Sequence, residues 1–160
     1  MLTIKIICVG KLKEKYWREA IEEYSKRLHA FCSFSVAEAA EEKISDKPNS
    51  SDIDRTIDRE GARIAELIPK GAYVVSMCIE GKKLSSTDLA QVLENTALDG
   101  KSTVAFIIGG SFGLSDTVKK MSDLRLSMSD MTFPHQLARV MLCEQIYRAF
   151  QINSGGKYHK

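Results

Sequence analysis

Short runs of β-branched and apolar residues alternate along this chain with longer stretches whose apolar positions recur every three or four residues. Leu2 to Val9 is the first such run; it stops at Gly10 and predicts a strand. Tyr16 to Ala30 sets Trp17, Ala20, Ile21, Tyr24 and Leu28 at helical spacing among charged residues. In Phe31 to Ala37, Phe31, Ser33 and Ser35 alternate with Cys32, Phe34 and Val36, the pattern of a half-exposed strand. Glu38 to Ser51 is polar, acidic and broken by Pro48, which predicts a mobile loop. A helix capped by Ser51 or Asp52 follows, with Ile53, Ile57, Ile64, Leu67 and Ile68 as its apolar line and Pro69-Lys70-Gly71 as its stop. Ala72 to Ile79 is nearly all apolar, the mark of a strand covered on both faces. Ser85 or Ser86 then caps a helix through about Ala97 with Leu89, Val92, Leu93 and Thr96 inward.

The rest of the pattern converges on Val104 to Arg139. Val104 to Ile108 reads as a buried strand that breaks into Gly109-Gly110-Ser111-Phe112-Gly113. A short helical segment spans Ser115 to Ser122, and Leu124 to Met128 reads as a further strand. After Ser129-Asp130-Met131-Thr132-Phe133-Pro134-His135 comes the longest amphipathic pattern, Gln136 to Ile152. About five strands alternating with four or five helices define an α/β layered, mostly parallel sheet, with residues 1–160 as one domain and no internal repeat. Ligands in such sheets sit in the crevice past the carboxyl ends of the strands, which is where both loops fall.

Composition narrows the partners. At 160 residues and 44% hydrophobic the chain can bury its own core, and 28% charged residues with net charge +2 exclude both a disordered chain and a strongly basic one. Glu38 to Glu60 carries eight acids and four bases, net −4; the first eighteen residues carry five bases and one acid, net +4; from His135 on there are four bases and one acid, net +3. Mildly basic ends permit a phosphate-rich partner without requiring one. Cys8, Cys32, Cys78 and Cys143 are widely spaced with no C-x-x-C, so reduced thiols are expected rather than a disulfide or zinc framework, and no metal is implied. The first apolar run is too short for a signal peptide and no segment reaches membrane-spanning length, so a cytoplasmic protein without a membrane partner is expected.

Each chemical motif is ambiguous alone. The glycine loop allows backbone N–H groups to approach a ligand, but it is neither a dinucleotide fingerprint (Ile108 stands where the first glycine belongs) nor a P-loop, and a plain tight turn explains it equally. Thr132 is expected to cap the last helix with Pro134 in its first turn, which puts His135 at the positive end of the helix dipole and favours a neutral imidazole. Arg139, Tyr147 and Arg148 on that helix can grip phosphate and stack on a base, while Glu144 and Arg148 also form a favourable i,i+4 pair. The tail Gly155-Gly156-Lys157-Tyr158-His159-Lys160 reads as a frayed end, or as a basic, aromatic lid or contact for RNA.

Taken together, Val9-Gly10-Lys11-Leu12-Lys13, Ile108-Gly109-Gly110-Ser111-x-Gly113, Met131-Thr132-Phe133-Pro134-His135-Gln136, Glu144-Gln145-x-Tyr147-Arg148-Ala149 and the closing Tyr158-His159-Lys160 resemble one family from end to end, in the right order. The chain is similar to the bacterial ribosomal RNA large subunit methyltransferase H family, small members of the SPOUT class. The resemblance implies an α/β sheet with a C-terminal trefoil knot, a homodimer, and transfer of methyl from S-adenosyl-L-methionine to N3 of pseudouridine 1915 of 23S rRNA in assembled ribosomes. It implies a cofactor pocket of Met77 (where relatives often carry leucine), Gly109, Met128, Ser129, Asp130, Met131, Thr132 and Phe133. His159, Arg139 and His135 would then serve the chemistry, and Tyr147, Arg148, Tyr158 and Lys160 the RNA. A ribosome-associated binding module with a vestigial pocket, or a SPOUT enzyme acting on tRNA, are the competing readings.

Overall fold

The computed structural model describes all residues 1–160. Its elements are β1 (Thr3–Val9), α1 (Lys15–Leu28), β2 (Ser33–Ala39), α2 (Ser50–Leu67), β3 (Tyr73–Lys83), α3 (Ser86–Leu98), β4 (Thr103–Ile108), α4 (Asp116–Lys120), β5 (Leu124–Ser127) and α5 (His135–Asn153). The strands form one sheet in the order β2-β1-β4-β3-β5. Every pairing is parallel, so the sheet is wholly rather than mostly parallel.

Alternation of side chains along the central strands explains why their sequences read as unbroken apolar runs. Ile4, Ile6 and Cys8 of β1 and Val104, Phe106 and Ile108 of β4 join the core under α1, α3 and α5. Ile7 and Val9 of β1 and Ala105 and Ile107 of β4 point the other way, into the core under α2 and α4. A strand buried on both faces needs apolar residues at both parities. The crossovers follow from this layering. Each step leftward in the sheet order, β1 to β2 and β3 to β4, uses a helix on the first face; each step rightward, β2 to β3 and β4 to β5, uses one on the second. All four connections thus share one hand, as parallel crossovers do.

Several boundaries differ from the sequence pattern for local reasons. Asn49, not Ser51 or Asp52, caps α2, accepting from the Asp52 N–H while Asp52 accepts from the Asn49 N–H. Pro134, not Thr132, is the cap of α5; its backbone is extended and it has no N–H to leave unpaired, so His135 is the first helical residue. The acidic segment after β2 is held rather than free: the Glu42 carboxylate accepts from Arg59 Nη1 at 2.9 Å and Arg63 Nη2 at 2.5 Å. The apolar line expected for α2 is only partly buried, and Thr56, Glu60 and Gly61 are buried with Ile64 instead.

Strand β3 runs four residues past its expected end and carries an irregularity that shapes the site. Met77 and Lys82 both pair with Leu126 of β5, so Cys78 to Gly81 form an excursion between them. Gly81 presses on the β5 backbone; a Cβ there would lie 2.8 Å from the Leu126 nitrogen. Substituting Gly81→Ala should therefore destabilise the protein by about 1–3 kcal/mol, the usual cost of forcing atoms into packed space. A urea denaturation midpoint equal to that of the unsubstituted protein would contradict this packing.

Candidate functional site

The carboxyl ends of β3, β4 and β5 and the loops beyond them enclose a cavity of about 860 Å³. This is within the size range of small-molecule and cofactor sites. Its first wall is the loop from Gly109 to Gly113, closed by the Gly113 N–H donating to the Gly110 carbonyl at 3.1 Å. The loop folds back so tightly that a Cβ on Gly109 would stand 2.6 Å from the Gly113 carbonyl, and Gly113 has φ +88, a conformation that side chains disfavour. The second wall is the segment between β5 and α5. There the Ser127 hydroxyl donates to the Ser129 carbonyl at 3.0 Å, and the Ser129 hydroxyl accepts from the Met131 N–H at 3.0 Å. These side-chain bonds hold a bend that no regular ladder supports. The third wall is the β3 excursion, with Met77, Cys78, Ile79 and Glu80. Glu80 pairs with Lys119 of α4, which holds its carboxyl below the usual range.

The helix α5 enters this cavity with His135. Burial lowers the imidazole pKa, and the nearby Arg139 lowers it further against the opposing charge of Glu41. The ring is therefore held neutral at physiological pH, able to accept a proton or a hydrogen bond. Arg139 itself, expected to touch substrate, lines neither this cavity nor its neighbour and is only 2% exposed. Its guanidinium donates to Glu38 Oε2 at 2.8 Å and to the Gly10 carbonyl at 3.2 Å, pinning α5 to the ends of β2 and β1.

A smaller cavity of about 510 Å³ adjoins the first and shares Met77, Leu126, Ser127 and Met128 with it. Tyr24, Glu144 and Gln145 are among its other lining residues. Beside it the C-terminal tail folds back on α5. Glu144 Oε1 accepts from Arg148 Nε at 3.0 Å and from the Tyr158 hydroxyl at 3.0 Å. The Arg148 guanidinium lies 4.8 Å from the centre of the Tyr158 ring, and Tyr147 meets that ring edge-on at 4.9 Å. Arg148 Nη1 donates to Nδ1 of His159 at 3.2 Å, which puts the proton of a neutral His159 ring on Nε2.

The expected site residues thus fall into two groups. Met77, Gly109, Met128, Ser129, Met131, Thr132, Phe133 and His135 line the larger cavity together. Asp130 sits in the same segment but is exposed and pairs with Lys83. Tyr147, Arg148, Tyr158 and His159 gather around Glu144, and Lys160 is exposed at the end of the chain. His135 and Arg148 are thirteen positions apart, which at the helical rise is roughly 20 Å along α5. Sequence patterns missed the wall formed by Cys78 to Glu80, because an excursion inside a strand has no period. Gly81 after an apolar run was the available signal.

Three of the four thiols are buried and all are free; burial pushes Cys8 and Cys143 up to about 12 and Cys32 up to about 11. No three His, Cys, Asp or Glu side chains are placed to hold a metal ion, and no helix is long and apolar enough to cross a membrane.

Comparison with known proteins agrees with this layout. A family model described as "Predicted SPOUT methyltransferase" matches residues 2–159, so the fold and its cavity define a SPOUT-class methyltransferase. A solved structure of a probable methylase family protein from Haemophilus influenzae shares the fold alone. Its TM-score is 0.53 at 10% identity, over 98% of this chain and 70% of that one. A protein of Clostridium kluyveri named ribosomal RNA large subunit methyltransferase H is 48% identical over 159 residues, 99% of this chain and all of that protein. One of the same name from Clostridium novyi is 48% identical over 161 residues, with the same shares covered. The chain belongs to the ribosomal RNA large subunit methyltransferase H family within the SPOUT class.

Two outcomes follow from the geometry. Because the folded pKa of His135 is depressed, the unfolded chain binds its proton more readily, and stability falls as pH drops below the ordinary value of 6.5. His135→Gln should remove this share of acid sensitivity, narrowing the difference between melting temperatures at pH 5 and pH 8. Arg139→Ala should cost about 2 kcal/mol in urea unfolding, less than a fully buried pair because Glu38 remains partly solvated.

Proposed function

We propose that this protein uses S-adenosyl-L-methionine to methylate large-subunit rRNA, at N3 of pseudouridine 1915 of 23S rRNA in assembled ribosomes, acting in the cytoplasm as a homodimer. The observation that carries this reading is the larger cavity: two bent loops at the carboxyl ends of β4 and β5 face each other across it in a chain of this family.

The residues present fit the cofactor. Met77, Met128 and Phe133 offer apolar surface for a flat base, and the glycine loop exposes backbone to polar groups without side chains in the way. Gly109 and the segment Met128 to Phe133 would hold it, Asp130 through its backbone. When bound, the cofactor supplies a methyl group on a positively charged sulfur, open to in-line displacement by a nitrogen nucleophile. The rest is positioning and proton management by the protein. The imide N3–H of the target must lose its proton as the methyl arrives, and in this reading His135, on the cavity wall with its pKa lowered by burial, accepts it. His159 presents an Nε2–H donor in its contact with Arg148, so its part is to hold the base or stabilise negative charge on the imide oxygen rather than to take the proton. Arg139 supports catalysis by fixing the start of α5.

The homodimer is the part of this reading that would join the two groups of residues. Within one chain the tail cluster stands roughly 20 Å along α5 from His135, so His159, Arg148, Tyr147, Tyr158 and Lys160 would meet RNA at the cavity of the partner subunit. Exposed Ile79, Phe112 and Met131, all lining the larger cavity, would supply apolar surface for that partner.

The test is methylation of purified ribosomes with labelled cofactor, followed by mapping of the modified nucleoside. Label at N3 of a 23S pseudouridine is expected; label in tRNA alone, or no transfer and no calorimetric binding of cofactor, would overturn the proposal. Gly109→Ala should weaken cofactor binding at least about tenfold in the same calorimeter, since the loop must open to accept a methyl group. Circular dichroism should show the fold retained.

A further inference from the structure

Glu60 is 4% exposed, carries no salt bridge and takes no part in the chemistry above. A carboxylate buried without a cation is costly and calls for an explanation in terms of what it touches. Burial raises its pKa, against the hydrogen bond from the Glu42 N–H.

Its surroundings are specific. Glu60 Oε2 accepts from the Glu42 backbone N–H at 3.1 Å. Glu42 is itself fastened by Arg59 and Arg63, one turn apart on α2 with Glu60 between them in sequence, and Arg63 also donates to the Ala40 carbonyl at 3.0 Å. Residues 40–42 therefore lie strapped over Glu60. The other carboxylate oxygen faces the glycine loop: Glu60 Oε1 is 3.1 Å from the place where a Cβ on Gly110 would stand. One residue on, Gly61 brings the α2 backbone against Ser115, whose hydroxyl accepts from the Val118 N–H at 3.2 Å and caps α4; a Cβ on Gly61 would collide with that hydroxyl. Two consecutive residues of α2 thus back both ends of the segment from Gly110 to Ser115, the wall that sequence patterns could not distinguish from a simple turn.

We infer that Glu60 is a positioning residue that holds the Gly109–Gly113 loop in the shape the cofactor cavity requires. A loop of glycines has many conformations and few side chains to restrict them, so the restraint must come from outside. The strapped carboxylate, which does not itself line the cavity, supplies it. The cofactor consequence rests on the function proposed above; the restraint on the loop does not.

The test separates the two. Hydrogen–deuterium exchange of the peptide spanning residues 109–114 reads the restraint directly, and calorimetry with S-adenosyl-L-methionine reads its consequence. Glu60→Ala should speed exchange there by about tenfold and weaken cofactor binding by a similar factor, leaving exchange in α5 unchanged. Glu60→Gln, whose amide oxygen still accepts from Glu42, should stay within about threefold of the unsubstituted protein on both readings. A uniformly structural role would instead raise exchange throughout. If the alanine variant does not fold, Glu60→Asp draws the carboxylate back by one methylene and reads the same quantity. Loop exchange in the folded alanine or aspartate variant equal to that of the unsubstituted protein overturns the inference. Absence of cofactor binding by the unsubstituted protein overturns the proposed function while the exchange result still decides the role of Glu60.

Discussion

The structure depends on one constraint: β1 and β4, at the centre of the sheet, are buried on both faces. A strand in that position must turn apolar side chains toward both faces, and both faces must be covered by helices. Parallel neighbours then require crossovers, and crossovers of one hand send successive loops to the same end of the sheet. The cavity stands where they arrive. Its position is a by-product of how the core is closed, which is why a glycine loop and a cap segment far apart in sequence come to face each other.

Polar groups tie the ends of this layered core together at few points. Arg139 is the chief one, with its guanidinium drawn out of water to join α5 to β1 and β2. Its Nε has no partner, so the anchor is only partly satisfied. Asp123 does similar work at the sheet edge, where its side chain accepts from the Val74 N–H and its own N–H donates to the Val74 carbonyl. That fixes the start of β5 against β3, and with it the segment that leads into the cavity.

Element types were legible in the sequence because both-face burial writes itself as apolar runs and one-face burial as helical periodicity. The strands Val104 to Ile108 and Leu124 to Met128 and the helix from Gln136 needed little beyond that. Boundaries were less legible where a cap depends on one hydrogen bond, as at Asn49, or on a missing donor, as at Pro134. Of the candidate site, the residues adjoining the glycine loop and the cap segment could be placed because strand ends converge in such a sheet. The burial of Arg139 could not be read, since an arginine on a helix face is ordinarily solvated and only its distant partners Glu38 and Gly10 draw it inward. Nor could Glu60, an acid in a run of acids, whose seclusion is made by a strap eighteen residues earlier.

The excursion in β3 leaves the ladder at Met77 and rejoins it opposite the same residue of β5. Pairing on either side is thus indifferent to how many residues the detour contains, provided the returning glycine can still lie flat on its neighbour. The rim of the cavity can therefore lengthen, shorten or change chemistry while the sheet keeps its alignment. A lineage could retune which ligand fits without renegotiating the fold.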